Sequence, residues 1–79
     1  MNVEQLRQMH HAQPFRPFRM HLADGRNILV KHPDFLAYTP TGRTVIVTRL
    51  DETYEVIDLF LVASLEVVDG KTGRRRKTG

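Results

Sequence analysis

The sequence predicts a mainly β fold: a small antiparallel barrel or rolled sheet of five or six strands behind a short N-terminal helix. Three observations point to it. Apolar residues change from helical spacing to alternation after Pro14. Turn signals recur at short intervals, at Asp24-Gly25, at residues 39–42 (TPTG) and at residues 51–53 (DET). With 79 residues there is material for one domain only, burying roughly 60% of the surface it exposes when unfolded.

The helix is expected over residues 3–12. Asn2 suits the N-cap, and Glu4 and Gln5 suit the first turn. Val3, Leu6 and Met9 or His10 share one face. Ten residues alone make a marginal helix, so this one must dock. Pro14 stops it, and residues 14–17 (PFRP) are extended because a residue before proline is pushed out of the α region.

Residues 18–22 (FRMHL) alternate and read as a half-buried strand. Asp24-Gly25 turns the chain, since glycine supplies positive φ without strain. Ile28 and Val30 continue the alternation, so the first two strands form a hairpin. Pro33 cannot donate to a ladder and interrupts the pattern. Residues 35–38 (FLAY) resume a short strand. Residues 44–50 (TVIVTRL) are rich in β-branched residues and carry apolar groups on both faces. That strand is expected to be buried on both sides, by the helix or by a second subunit. Residues 54–57 (YEVI) form the next strand. Asp58 caps a short helical turn over residues 58–61, and residues 62–68 (VASLEVV) close the fold. One domain, residues 1–70, is thus followed by residues 71–79 (KTGRRRKTG), which lack apolar side chains and read as a flexible basic tail.

The net charge of +3 is the average of two unlike parts. Residues 1–70 hold seven Lys/Arg against nine Asp/Glu, a net of −2. Residues 71–79 hold five cations and no acid. A basic-protein argument therefore applies to the tail alone. There is no cysteine, which excludes disulfides, thiolate zinc sites and a thiol nucleophile. The longest apolar run has five residues (LFLVA, 59–63) against about 20 for a membrane span. The first residues, MNVEQLRQMHH, have no signal-peptide character, so a cytoplasmic protein is expected.

The order of one helix, short strands and a helical turn before the last strand resembles the Sm-like fold, itself a small SH3-like barrel. Leu22-Ala23-Asp24-Gly25-Arg26 is similar to the first hairpin of that fold. The resemblance implies ring assembly through strand edges and RNA binding in a nucleotide pocket. Asp34 stands near the acidic position of that pocket, with no asparagine after it. The chain is also similar to a family of small bacterial proteins that carries no known activity. The shared motifs are residues 14–18 (PFRPF), 22–26 (LADGR), 32–35 (HPDF) and 57–59 (IDL).

Candidate nucleic-acid contacts are Lys71, Arg74, Arg75, Arg76 and Lys77, joined by Arg16, Arg19 and Arg26 in the body. Cations on a flexible stretch attract phosphate and release counterions. No aromatic residue interleaves with the tail, so base stacking would have to come from the body. The bland alternative is a solubilising tail, with two core phenylalanines whose neighbouring arginines point to water. His10, His11, His21 and His32 lack the HxH or HxxxH spacing of paired metal ligands. Asp24, Asp34 and Asp58 sit where turns and caps use an Asx side chain, so they offer acid–base chemistry only weakly. The expectation is a non-catalytic binding or assembly module without metal or small-molecule cofactor and without a membrane partner. Its partner is open, a second copy of the chain in a homo-oligomer being one candidate; the alternative is an Sm-like RNA-binding protein whose basic tail grips RNA or another polyanion.

Overall fold

The computed structural model describes residues 1–68. The predicted basic tail, residues 71–79, lies outside the described residues. Helix α1 spans Val3–His10. The Asn2 side chain accepts the Gln5 N–H at 3.1 Å, as the N-cap reading requires. The helix ends two residues before the expected position, because His11 already leaves helical geometry (ψ 12°).

Strands β1 (Phe18–Leu22) and β2 (Asn27–Val30) form the predicted hairpin. Gly25 takes φ +94° in its turn, and the Asp24 side chain accepts the Arg26 N–H at 3.0 Å. Pro33–Phe35 make one 3₁₀ turn where proline interrupts the ladder. Then come β3 (Leu36–Tyr38), β4 (Thr44–Thr48) and β5 (Tyr54–Asp58). Asp58 caps a second 3₁₀ turn, Leu59–Leu61, by accepting the Phe60 N–H at 2.9 Å. Strand β6 (Val62–Val67) follows.

All strand pairs are antiparallel, in two sheets ordered β2-β1-β6 and β3-β4-β5. Among the described residues no pairing joins the two sheets, so they do not close into a barrel. The two 3₁₀ turns mark the crossings between the sheets. Each separates a strand of one sheet from the next strand in sequence, which belongs to the other sheet.

The inner faces share one apolar core. Phe18, Met20 and Leu22 come from β1, and Ile28 and Val30 from β2. Leu36, Val45, Val47 and Ile57 come from the second sheet. Leu6 is the fully buried residue of α1. The helix lies against β3 and its flanking turns. Val3 sits on Gly42, and His10 reaches the Pro33 carbonyl (2.8 Å) and the Tyr38 hydroxyl (2.9 Å).

That position corrects one of the two covers expected for the outer face of residues 44–50, the helix. The strand stops at Thr48, and only its Val45 and Val47 face is buried. Ile46 on the opposite face is half-buried, and Leu50 in the following turn is 84% exposed. Helix α1 does not cover that outer face, because its Val3 and Leu6 are engaged at the core side.

Candidate functional site

The outer faces of the two sheets differ in chemistry. On the β2-β1-β6 sheet, Arg19 donates to the Asn27 side chain at 2.9 Å, and His21 pairs with Glu66 at 2.8 Å. That face is polar and cross-linked within itself. On the β3-β4-β5 sheet, Ala37, Ile46 and Val56 fall opposite one another across three strands. Tyr54 and Val56 are 67% and 58% exposed. This second face is an apolar stripe open to solvent.

The strand edges follow from hydrogen-bond parity. The Arg49 N–H donates to the Thr53 carbonyl at 2.9 Å, which makes that pair hydrogen-bonded. Antiparallel pairs alternate, so Glu55 and Ile57 also bond to β4, and Tyr54 and Val56 turn their backbone groups outward. By the same count, the Val68 N–H on the Pro17 carbonyl (2.8 Å) sends Leu65 and Val67 outward on β6. Both β5 and β6 thus present unpaired edges among the described residues.

A third feature sits at one end of the fold. The Leu59 N–H donates to the Arg43 carbonyl at 2.8 Å and holds the second 3₁₀ turn beside the β3–β4 turn. The Arg43 guanidinium lies 4.5 Å from the centre of the Phe60 ring, which is 68% exposed. Val3, Gly42 and Leu59 line a cavity of about 550 Å³ around this pair. A signal for Phe60 was present in the sequence. A 3₁₀ turn has three residues per turn, so the run LFL can direct only one side chain inward. Leu59 is that residue.

Among the described residues, the predicted cations Arg16, Arg19 and Arg26 do not form one patch. Arg16 and Arg26 lie at opposite ends of β1, roughly 20 Å apart at about 3.3 Å per residue. Arg16 has an interaction partner of its own. Arg19 is tied to Asn27 on the outer face. Arg26 holds Asp24 (3.0 Å) and Glu55 (2.6 Å), and Arg49 holds the other Glu55 oxygen at 2.9 Å. Glu55 thereby joins the β1–β2 turn to the opposite sheet. Lys71, Arg74, Arg75, Arg76 and Lys77 lie outside the described residues. Val68, the last described residue, lies beside Pro17, its N–H donating to the Pro17 carbonyl.

Hydrogen bonds from Arg26 first, then from Arg49, hold the Glu55 carboxyl below its ordinary range. A depressed folded-state value stabilises the fold above the unfolded carboxylate range and loses that effect as pH falls. We expect the melting temperature of the protein to fall below about pH 5, around the unfolded glutamate value near 4.3. Glu55→Gln should flatten this acid limb in thermal melts across pH. Equal acid limbs in the two proteins would show that the clasp contributes nothing.

The histidines serve the fold. The Pro33 carbonyl can only accept, so His10 Nε2 donates to it, while His10 Nδ1 and the Tyr38 hydroxyl form a second hydrogen bond. Burial pushes the Tyr38 phenol up, with Arg7 opposing. His32 Nδ1 accepts the Asp34 N–H at 3.1 Å as a cap. Among the described residues no cluster of three His, Asp or Glu could hold a metal ion. Asp24, Asp34 and Asp58 are engaged in turns and caps, Asp34 through its own N–H. No helix among them is long and apolar enough to cross a membrane. The chain matches no protein-family model, no curated protein and no solved structure.

Proposed function

We propose that this chain is a non-catalytic assembly module that pairs with copies of itself, the β5 edge of one copy on the β6 edge of the next. The observation that carries this is the β5 edge. Its outward backbone groups belong to Tyr54 and Val56, whose side chains are also exposed. The strand carries no proline or lysine, and its acids are bound within the fold, Glu55 by Arg26 and Arg49 and Asp58 by the Phe60 N–H. The β6 edge is one residue longer, six against five, and has an exposed Val67. Such head-to-tail pairing closes a ring or grows a filament. The element order, and the 3₁₀ turn that separates β5 from β6, support the Sm-like reading of the fold.

Light scattering of the full chain over a wide concentration range tests this. The intact protein should exceed the monomer mass. Val56→Lys, which places a charge on the edge and the stripe, should return the monomer with the circular dichroism spectrum unchanged. A monomeric intact protein at every concentration defeats the proposal.

A second reading, RNA binding, is favoured by the Arg43–Phe60 pair. An exposed aromatic ring under a guanidinium is a surface on which an unstacked base can lie. It supplies the stacking that the tail lacks, while the tail supplies charge. Short single-stranded RNA should then bind with a steep salt dependence. Deleting residues 71–79 should flatten that slope, and Phe60→Ala should weaken binding at every salt concentration. No retention on RNA at low salt sinks this reading.

A further inference from the structure

Helix α1 is joined to the fold differently from the strands. Each strand is bonded to a neighbour along its backbone. Among the described residues no backbone hydrogen bond links α1 to a strand or a turn. Its seat is made of side chains. Leu6 is its fully buried residue, Val3 rests on Gly42, and His10 bonds to the Pro33 carbonyl (2.8 Å) and the Tyr38 hydroxyl (2.9 Å). The Arg7–Glu4 ion pair is internal to the helix, and the Arg7 guanidinium stands 5.8 Å from the centre of the Tyr38 ring.

The link to β1 leaves the helix free to move. Residues 11–14 make no backbone hydrogen bond to a strand among the described residues, and His11, Gln13 and Pro14 are exposed. Phe15 is the first side chain after them that packs on the core, its ring centroid 6.0 Å from that of Phe18. An eight-residue helix is marginal in water, so α1 unfolds when it leaves its seat. Resistance to local opening comes from buried apolar contacts and shared backbone bonds, and α1 is poor in both. The seat also shapes a site. Asn2 and Val3 form one wall of the cavity of about 550 Å³ beside Phe60, and Gly42, Arg43 and Leu59 form the other. The first wall belongs to the helix start and leaves with it.

We propose that α1 is a detachable wall: it undocks and unfolds as one unit while both sheets stay folded, and the cavity beside Phe60 exists only while it is seated. Whatever fills that cavity and touches both walls holds the helix down, because it binds the seated state alone. This device goes beyond the assembly and RNA readings and rests on neither.

Native-state hydrogen exchange of the full chain, read by amide resonances, tests it. The amides of residues 7–10 should share one protection level, at least ten-fold below that of Met20 and Val47 in the middle strands. Ile28→Val, in the sheet that α1 does not lie against, should lower protection at Met20 and Val47 several-fold and leave the helix amides unmoved. Leu6→Ala should speed exchange in the helix ten-fold or more and shift the Phe60 ring resonances, with the cross-strand contacts of Met20 and Ile28 intact. Helix amides protected as strongly as the strands, or falling with them in Ile28→Val, would show that the helix leaves only when the whole chain unfolds. Loss of all structure in Leu6→Ala, or Phe60 resonances unmoved by it, would likewise overturn the proposal.

Discussion

Phe18→Ala should bring the protein to the margin of unfolding in the absence of denaturant. Phe18 is completely buried and lies between Val30 on β2 and Val67 on β6 in the register of the sheet. Truncating a core phenylalanine costs about 3–5 kcal/mol, because contacts vanish and the cavity collapses only in part. A chain of 79 residues commands about 4–12 kcal/mol in total, and small domains sit low in that range. The substitution therefore removes most or all of the margin. Urea titration followed by circular dichroism checks it. Phe15→Ala is the control. Its ring centroid stands 6.0 Å from that of Phe18, yet the residue is only partly buried at the core margin. It should shift the midpoint far less. Similar losses at the two positions would mean that the core is centred elsewhere.

Gly42→Ala should destabilise far more than Gly25→Ala, although both glycines have positive φ (+76° and +94°). A side chain at Gly25 meets nothing within 4 Å. Its cost is the backbone term alone, roughly 1–2 kcal/mol. A Cβ at Gly42 overlaps the Val3 side chain, so the helix must move off the β3–β4 turn. Overpacking of that kind adds about 1–3 kcal/mol. Moving α1 also pulls on Leu6 and on the His10 bonds to Pro33 and Tyr38. Thermal melts of the two variants give the comparison. A hydrogen-exchange experiment on Gly42→Ala should show the helix amides exchanging first. Equal melting temperatures would show that the contact with Val3 is not what seats the helix.

Much of the local structure was legible because it depends on neighbours in sequence. The Asn2 and Asp58 caps, the Asp24-Gly25 turn and the interruption at Pro33 follow from single side chains acting on nearby backbone. The alternation in residues 18–22 identified the inward set Phe18, Met20 and Leu22 correctly. For residues 44–50, apolar residues on both faces do not say what covers the second face: the structure excludes helix α1 as that cover. The candidate site was less legible. Arg26 looked like an available cation, but Glu55 occupies it across 29 positions of sequence. Arg43 and Phe60 meet through the Leu59–Arg43 backbone bond, which no periodicity announces.

The sequence by itself determined the order of the strands, the inward residues of the first hairpin, the turns and the opposite charges of body and tail. Short-range sterics, capping and hydrophobic alternation act within a few residues and leave their mark in the order of the letters. Only the tertiary structure decided that the strands form two unclosed sheets, which edges stay unpaired, and which cations are already matched. Those outcomes depend on contacts between distant segments, where helix α1 settles on Gly42 and leaves the outer β4–β5 face open. A residue's availability to a partner is set by what the rest of the fold has already bound.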